Sequence, residues 1–150
     1  MIYKVDGDLV KETQYRIFCH QVNCKGVMGS GIAKQIKETY PEVYRAYREY
    51  EPKALGEIQK VKTHDDRICI NMFAQDGYGR DKCYTDYWAF EACLERIALD
   101  LMLKNIKEPV AFPYKIGCGM AGGDWNIVKH IINAFANILP QNVYIVRKSD

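Results

Sequence analysis

The amino-acid sequence predicts an α/β layered sandwich built on a mixed, mainly parallel sheet. Strand-like and helix-like segments alternate along most of the chain. Twice, two strand-like segments follow each other with no helix between them, so the sheet is not a pure βαβ repeat. Two glycine-rich segments each leave a strand and open a helix, which is where open α/β sheets bind ligands.

The elements follow in the order β-β-α-α-β-β-α-β-α-β. Ile2 to Val5 alternates, is rich in β-branched and aromatic residues, and stops at the turn Asp6-Gly7-Asp8. Arg16 to Val22 has the apolar middle of a buried strand. Gly26, Gly29 and Gly31 break it, and Ile32 to Lys37 opens a helix. Pro41 suits the first turn of the next helix, in which Val43, Tyr44, Tyr47 and Tyr50 share one face. That stripe reads as core packing rather than as a platform for stacked bases. Gly56 to Val61 and Arg67 to Phe73 are strands joined by the polar turn Thr63-His64-Asp65-Asp66, and a polar connection runs from Gln75 to Lys82. Thr85 or Asp86 caps a helix reaching about Lys104, with Ala89, Cys93, Ile97 and Leu101 on one face. Pro109 to Pro113 is a strand, Asp124 caps the helix Trp125 to Leu139, and Asn142 to Val146 is the last strand. No repeat, low-complexity stretch or linker divides the chain, so one domain spanning residues 1–150 is expected.

Composition narrows the partners. The chain is 48% hydrophobic and 27% charged, which suits a globular rather than a disordered protein. Its formal charge of +2 is too weak for the basic footprint of a duplex-binding protein or a polybasic membrane patch. No run approaches the roughly 18 apolar residues that cross a bilayer. The N-terminus has neither the apolar core nor the small-residue cleavage site of a leader peptide, so a cytoplasmic protein is expected. The six cysteines include no C-x-x-C pair and the three histidines offer no paired spacing, so the thiols read as reduced and no metal or cofactor is called for.

The chemistry lies in the glycine-rich segments. The first is Asn23-Cys24-Lys25-Gly26-Val27-Met28-Gly29-Ser30-Gly31-Ile32-Ala33. The second, Gly117-Cys118-Gly119-Met120-Ala121-Gly122, is a literal G-x-G-x-x-G. Neither has the downstream strand and acid of a dinucleotide fingerprint, and neither contains G-K-[ST]. Each alone is also consistent with a tight turn for close packing. Together they place two helix N-termini where a diphosphate can be gripped without a fixed cation. Asp8 ends the first strand with a carboxylate that either accepts from an exocyclic amine such as adenine N6 or forms an Asx turn; spacing leaves both open. Between Gln75 and Lys82, Gly77 and Gly79 allow a lid to hinge. Arg80 would then suit a terminal phosphate and Asp81 a base, unless the loop is simply solvated.

Four segments carry a resemblance: Val5-Asp6-Gly7-Asp8-Leu9, His20-Gln21-Val22-Asn23-Cys24, Met28-Gly29-Ser30-Gly31-Ile32-Ala33 and Pro113-Tyr114-Lys115-Ile116-Gly117-Cys118-Gly119. In order and spacing the chain resembles the macrodomain family along essentially its whole length. The likeness is to the small stand-alone members grouped with ADP-ribose 1''-phosphate phosphatases and the terminal ADP-ribose protein glycohydrolase. The resemblance implies a three-layer α/β/α sandwich on a mixed, mostly parallel six-stranded sheet, with an ADP-ribose cleft at the strand ends. It places Asp8 at the adenine N6 amine and Leu9 at the backbone contact beside it. Met28, Gly29, Ser30, Gly31 and Ile32 become the first loop, over the diphosphate and distal ribose. Gly117, Cys118, Gly119, Met120 and Ala121 become the second, under the pyrophosphate, with Pro113 and Ile116 beside them. Asn23 falls next to the distal ribose, and His20 reads more simply as a buried strand residue.

The glycohydrolase branch uses a lysine in the region corresponding to Asn71-Met72-Phe73-Ala74 and an aspartate where this chain has Ala121. Neither is present, so a lysyl-ADP-ribose route is closed. Three residues remain for catalysis: Asn23 to orient a water, and Asp81 or Asp124 as a base, the latter competing with its role as a helix cap. The implied function is hydrolysis of a distal-ribose derivative of ADP-ribose, with the 1''-phosphate first and protein-linked or acyl forms next. The alternative is a module that reads ADP-ribose without turning it over. A small nucleotide or RNA binder outside the family is disfavoured by the near-neutral charge.

Overall fold

The computed structural model describes residues 1–148. The elements are β1 (Ile2–Asp6), β2 (Ile17–Asn23), α1 (Gly31–Thr39), α2 (Pro41–Glu49), β3 (Ile58–Lys62), β4 (Ile68–Gln75), α3 (Tyr87–Leu103), β5 (Val110–Pro113), α4 (Trp125–Ile138) and β6 (Val143–Arg147). The six strands form one sheet in the order β1-β6-β5-β2-β4-β3. Every pairing is parallel except that of the edge strand β3 with β4.

Side-chain alternation divides the interior in two. On β2, Ile17 and Cys19 join the core under α3 and α4, while Phe18 and Val22 join the core under α1 and α2. β5 does the same with Val110 and Phe112 on one face and Ala111 on the other. Both strands lie inside the sheet and are buried throughout, as their apolar runs require. The edge strands β1 and β3 are only partly covered. The result is the three-layer α/β/α sandwich, with a mixed and mostly parallel six-stranded sheet.

The tyrosine face of α2 packs into the core. Val43 and Tyr47 are buried, and the rings of Tyr47 and Tyr50 stack on Phe73 at 6.0 and 5.5 Å. β4 runs two residues beyond Phe73, because Gln75 pairs with Asn23 across a register shift at the end of β2. Asp86, rather than Thr85, caps α3 by accepting from the Ala89 N–H.

Arg67, at the head of β4, is 1% exposed. Its guanidinium donates to the carbonyls of Leu9, Val10 and Tyr15 and to the Tyr40 hydroxyl, and lies 4.0 Å from the Phe18 ring centroid. A planar fork of five donors is what a loop with several inward carbonyls needs, and here it staples the β1–β2 connection to the sheet. Among the described residues, no helix is long and apolar enough to cross a membrane.

Candidate functional site

At the carboxyl ends of the central strands two cavities adjoin. The inner one, about 250 Å³, is walled by both glycine-rich loops, by Gln21 and Asn23 of β2, and by Gln75 of β4. The outer one, about 260 Å³, holds Asp8, Leu9, the end of β6 and Lys148. Ile32, Pro113 and Tyr114 belong to both walls, so the two form one cleft from Asp8 to Gln75.

The helix N-termini differ: neither α1 nor α2 has a side-chain cap, and of these two only that of α1 lies on the inner cavity. Those of α3 and α4 are closed by Asp86 and Asp124, each accepting a first-turn N–H. Ser30, the cap residue of α1, makes no such bond. An α-helix leaves its first N–H groups without partners inside the helix, and here they open into the inner cavity with a partial positive charge. Such a terminus suits an anion, and Lys115 on the same wall adds a positive side chain.

Across the cavity the second loop is held at both ends. The Tyr84 and Thr85 N–H groups donate to the Ala121 carbonyl at 2.7 and 3.2 Å, and the Thr85 hydroxyl donates to the Gly117 carbonyl at 2.6 Å. The Gly123 N–H reaches the same Gly117 oxygen at 2.9 Å. The two loops thus face each other across the cavity, one ending in an open helix and the other fixed by its neighbours.

Asp8 does two things at once. One carboxylate oxygen accepts from the Val10 and Lys11 N–H groups at 3.2 Å each, which is an Asx turn. The other faces Lys148 at 3.8 Å on the wall of the outer cavity. The Asx-turn reading of Asp8 is thus what the geometry bears out, and its second oxygen stays on the cavity wall.

Of the residues expected to bind, Asn23, Gly29, Ser30, Gly31, Ile32, Pro113, Ile116, Gly117, Gly119, Met120 and Ala121 line the inner cavity. Asp8 and Leu9 line the outer one. Two residues lie elsewhere. Met28 is 2% exposed and packed in the α1/α2 core, because a long apolar side chain next to a turn gains more by burial than by facing a polar cleft. Cys118 is absent from the wall; its thiol turns toward the Ile116 carbonyl and the α3/α4 core, and burial pushes its pKa up to about 11.

The three catalytic candidates are also placed differently from the sequence expectation. The Asn23 amide is on the wall but engaged: Oδ1 accepts from the Lys25 and Gly77 N–H groups, and Nδ2 donates to the Gly77 carbonyl at 3.0 Å. It anchors the connection after β4, as does the Lys25–Asp76 ion pair at 3.2 Å. Asp81 is exposed, off the wall, and bonded to the Tyr84 hydroxyl, which holds its carboxyl below the ordinary value. Asp124 caps α4 and is likewise off the wall. His20 is fully buried against Asn71 Oδ1 at 2.5 Å, away from both cavities.

Sequence reasoning missed Gln21, Gln75, Thr85, Tyr114 and Lys115. The available signal was a polar amide inside an otherwise apolar strand, since a buried Gln must find partners. Among the described residues the inner wall carries no carboxylate, imidazole or thiol, and Lys115 is its sole charged side chain.

The family model for the Macro domain matches residues 19–132. The chain is 28% identical to an ADP-ribose 1''-phosphate phosphatase of Debaryomyces hansenii, across 97% of this chain and 99% of that protein. It is 27% identical to a DNA ADP-ribosyl glycohydrolase of Mycobacterium tuberculosis, across 92% of this chain but 40% of that longer protein. Among solved structures, the macrodomain of Mycobacterium tuberculosis DarG superposes with a TM-score of 0.82 at 29% identity, covering 100% of this chain and 99% of that one.

Proposed function

The chain belongs to the macro domain family, and on that premise we propose that it binds ADP-ribose and hydrolyses a derivative carrying an anionic group on the distal ribose. The observation that carries this reading is the uncapped N-terminus of α1, facing the second loop across a cavity whose far end leads to Asp8. A diphosphate fits between the two sets of N–H groups, the adenine end lies with Asp8, and the distal ribose lies with Asn23 and Gln75. Residues 1–150 act as one macrodomain in this reading, and the six free thiols suit a cytoplasmic setting.

The wall chemistry favours one class of leaving group. With no carboxyl or imidazole among the described residues of the inner wall, and Lys115 its sole charged side chain, a group that departs from C1'' as a stable anion is handled best, because it needs no proton from the protein. A phosphate or a carboxylate meets that condition, and an amine or guanidine does not. The backbone N–H groups stabilise the charge as it develops, and water supplies the hydroxyl left on the ribose. The full-length likeness to a protein named ADP-ribose 1''-phosphate phosphatase supports phosphate as the first group to test.

Calorimetric titration with ADP-ribose, followed by phosphate release from ADP-ribose 1''-phosphate, tests both halves. Saturable binding with release supports the hydrolase. Binding with no turnover of the phosphate, acyl or protein-linked forms leaves a reader of ADP-ribose, which the wall's lack of a base also suits. No binding of ADP-ribose removes the proposal.

A further inference from the structure

The amide of Gln21 has a fixed direction, and that direction leaves one atom alone. Thr85 Oγ1 lies 2.6 Å from the Gly117 carbonyl oxygen. Two oxygens meet at that distance across a proton, and the carbonyl has none, so the Thr85 hydroxyl donates there. It can then only accept from Gln21, so the Gln21 atom 2.9 Å away is the Nε2 donor. The other Nε2 proton is directed at Gln75 Oε1, 3.3 Å away, and Gln75 is itself oriented because its Nε2 donates to the Gly77 carbonyl at 2.9 Å. Gln21 Oε1 is thereby left buried with no hydrogen-bond partner among the described residues, in a residue that is 9% exposed. Gln21 lines the inner cavity beneath Gly117, where an added Cβ would fall 2.9 Å from that oxygen.

Resting on the ADP-ribose reading above, we propose that Gln21 is a specificity-determining residue whose Oε1 accepts a hydrogen bond from a hydroxyl of the distal ribose, and so separates ADP-ribose from ADP. An amide oxygen only accepts and carries no charge, so it matches a sugar hydroxyl and repels a phosphate oxygen. The phosphates have the N–H groups of α1 and the second loop, while Gln21 shares its stretch of wall with Asn23 and Gln75. A buried acceptor without a donor favours the ligand that supplies one over the ligand that lacks it.

Titration of the whole chain with ADP-ribose and with ADP tests this. Gln21→Met is expected to lower ADP-ribose affinity about tenfold while leaving ADP affinity unchanged. Thr85→Val releases the amide to flip and is expected to reduce the ADP-ribose preference about threefold, with Thr85→Ser restoring it. Thermal melting checks that each variant folds, and if Gln21→Met does not, the Thr85 pair decides. Parallel loss of both ligands, or of neither, overturns the assignment of Gln21. Equal binding of ADP-ribose and ADP by the unaltered protein also overturns it while sparing the ADP-ribose reading. Failure of the unaltered protein to bind ADP-ribose overturns the reading itself.

Discussion

In the first glycine-rich loop a Cβ added at Gly29 meets nothing within 4 Å, whereas in the second a Cβ at Gly123 would fall 2.6 Å from the Gly117 carbonyl oxygen. The same letter serves two purposes. The first loop omits side chains beside an uncapped helix, which keeps the cavity clear for whatever approaches those N–H groups. The second omits them at Gly122 and Gly123 because backbone is already there, folded against itself and clamped by the 84–85 segment, while its Gly119 is as open as Gly29. Gly29 stands beside open space while the end of the second loop is shaped by the fold, a contrast that mutation can break.

The largest effect is expected at the fold-shaped loop. Gly123→Ala drives a methyl into fixed backbone and should cost about 3 kcal/mol or more of stability, read by denaturant unfolding. Gly29→Ala should stay within about 0.5 kcal/mol in the same assay yet weaken ADP-ribose binding, read by calorimetry. Equal stability losses would erase the contrast.

A second cut separates scaffold from site by pH. Burial lowers the His20 pKa from 6.5 to about 4, and the Asn71 hydrogen bond opposes the shift only in part. The unfolded chain therefore binds the proton first, so this contribution is intact above pH 6.5 and is lost as pH falls toward 4. The full loss is about 3 kcal/mol. His20→Gln should flatten that part of the acid-unfolding profile. ADP-ribose affinity at a pH where the protein is folded should not follow the same curve, because His20 is on neither cavity wall.

Asp8 comes next. Asp8→Ala should weaken ADP-ribose binding by about 1–3 kcal/mol by removing a charged acceptor. Asp8→Asn keeps an oxygen for the Val10 and Lys11 N–H groups, so a loss it shares with Asp8→Ala belongs to the ligand rather than to the turn. The smallest effect on stability tests the open helix. Ser30→Asp supplies the missing cap, which should stabilise the protein by about 0.5–1 kcal/mol while its charge repels the diphosphate and lowers affinity. A variant that gains stability and keeps its affinity would show that the α1 terminus does not hold an anion.

The layers of the fold were legible because they follow from local pattern. Period-two alternation sorted β2 and β5 between two cores, and spacings of three and four set the inner face of α2. The strand order was not legible, since pairing β6 between β1 and β5 depends on contacts between distant parts of the chain. The site divides similarly. Asp8, the two loops and the Asp124 cap announce themselves through turn and cap chemistry. Gln21 and Thr85 do not, because their meaning comes from a hydrogen bond across 64 residues of sequence. Met28 and Cys118 sit in glycine-rich company, yet their side chains answer to the cores behind the loops.

Arg67 ties the Asp8 end of the cleft to a turn that lines neither cavity. Its guanidinium grips the carbonyl of Leu9, next to Asp8, and also the Tyr40 hydroxyl, which donates to Asp65 at 2.8 Å in the β3–β4 turn. The position of Asp8 thus rests partly on a hydrogen-bond chain that begins in the β3–β4 turn.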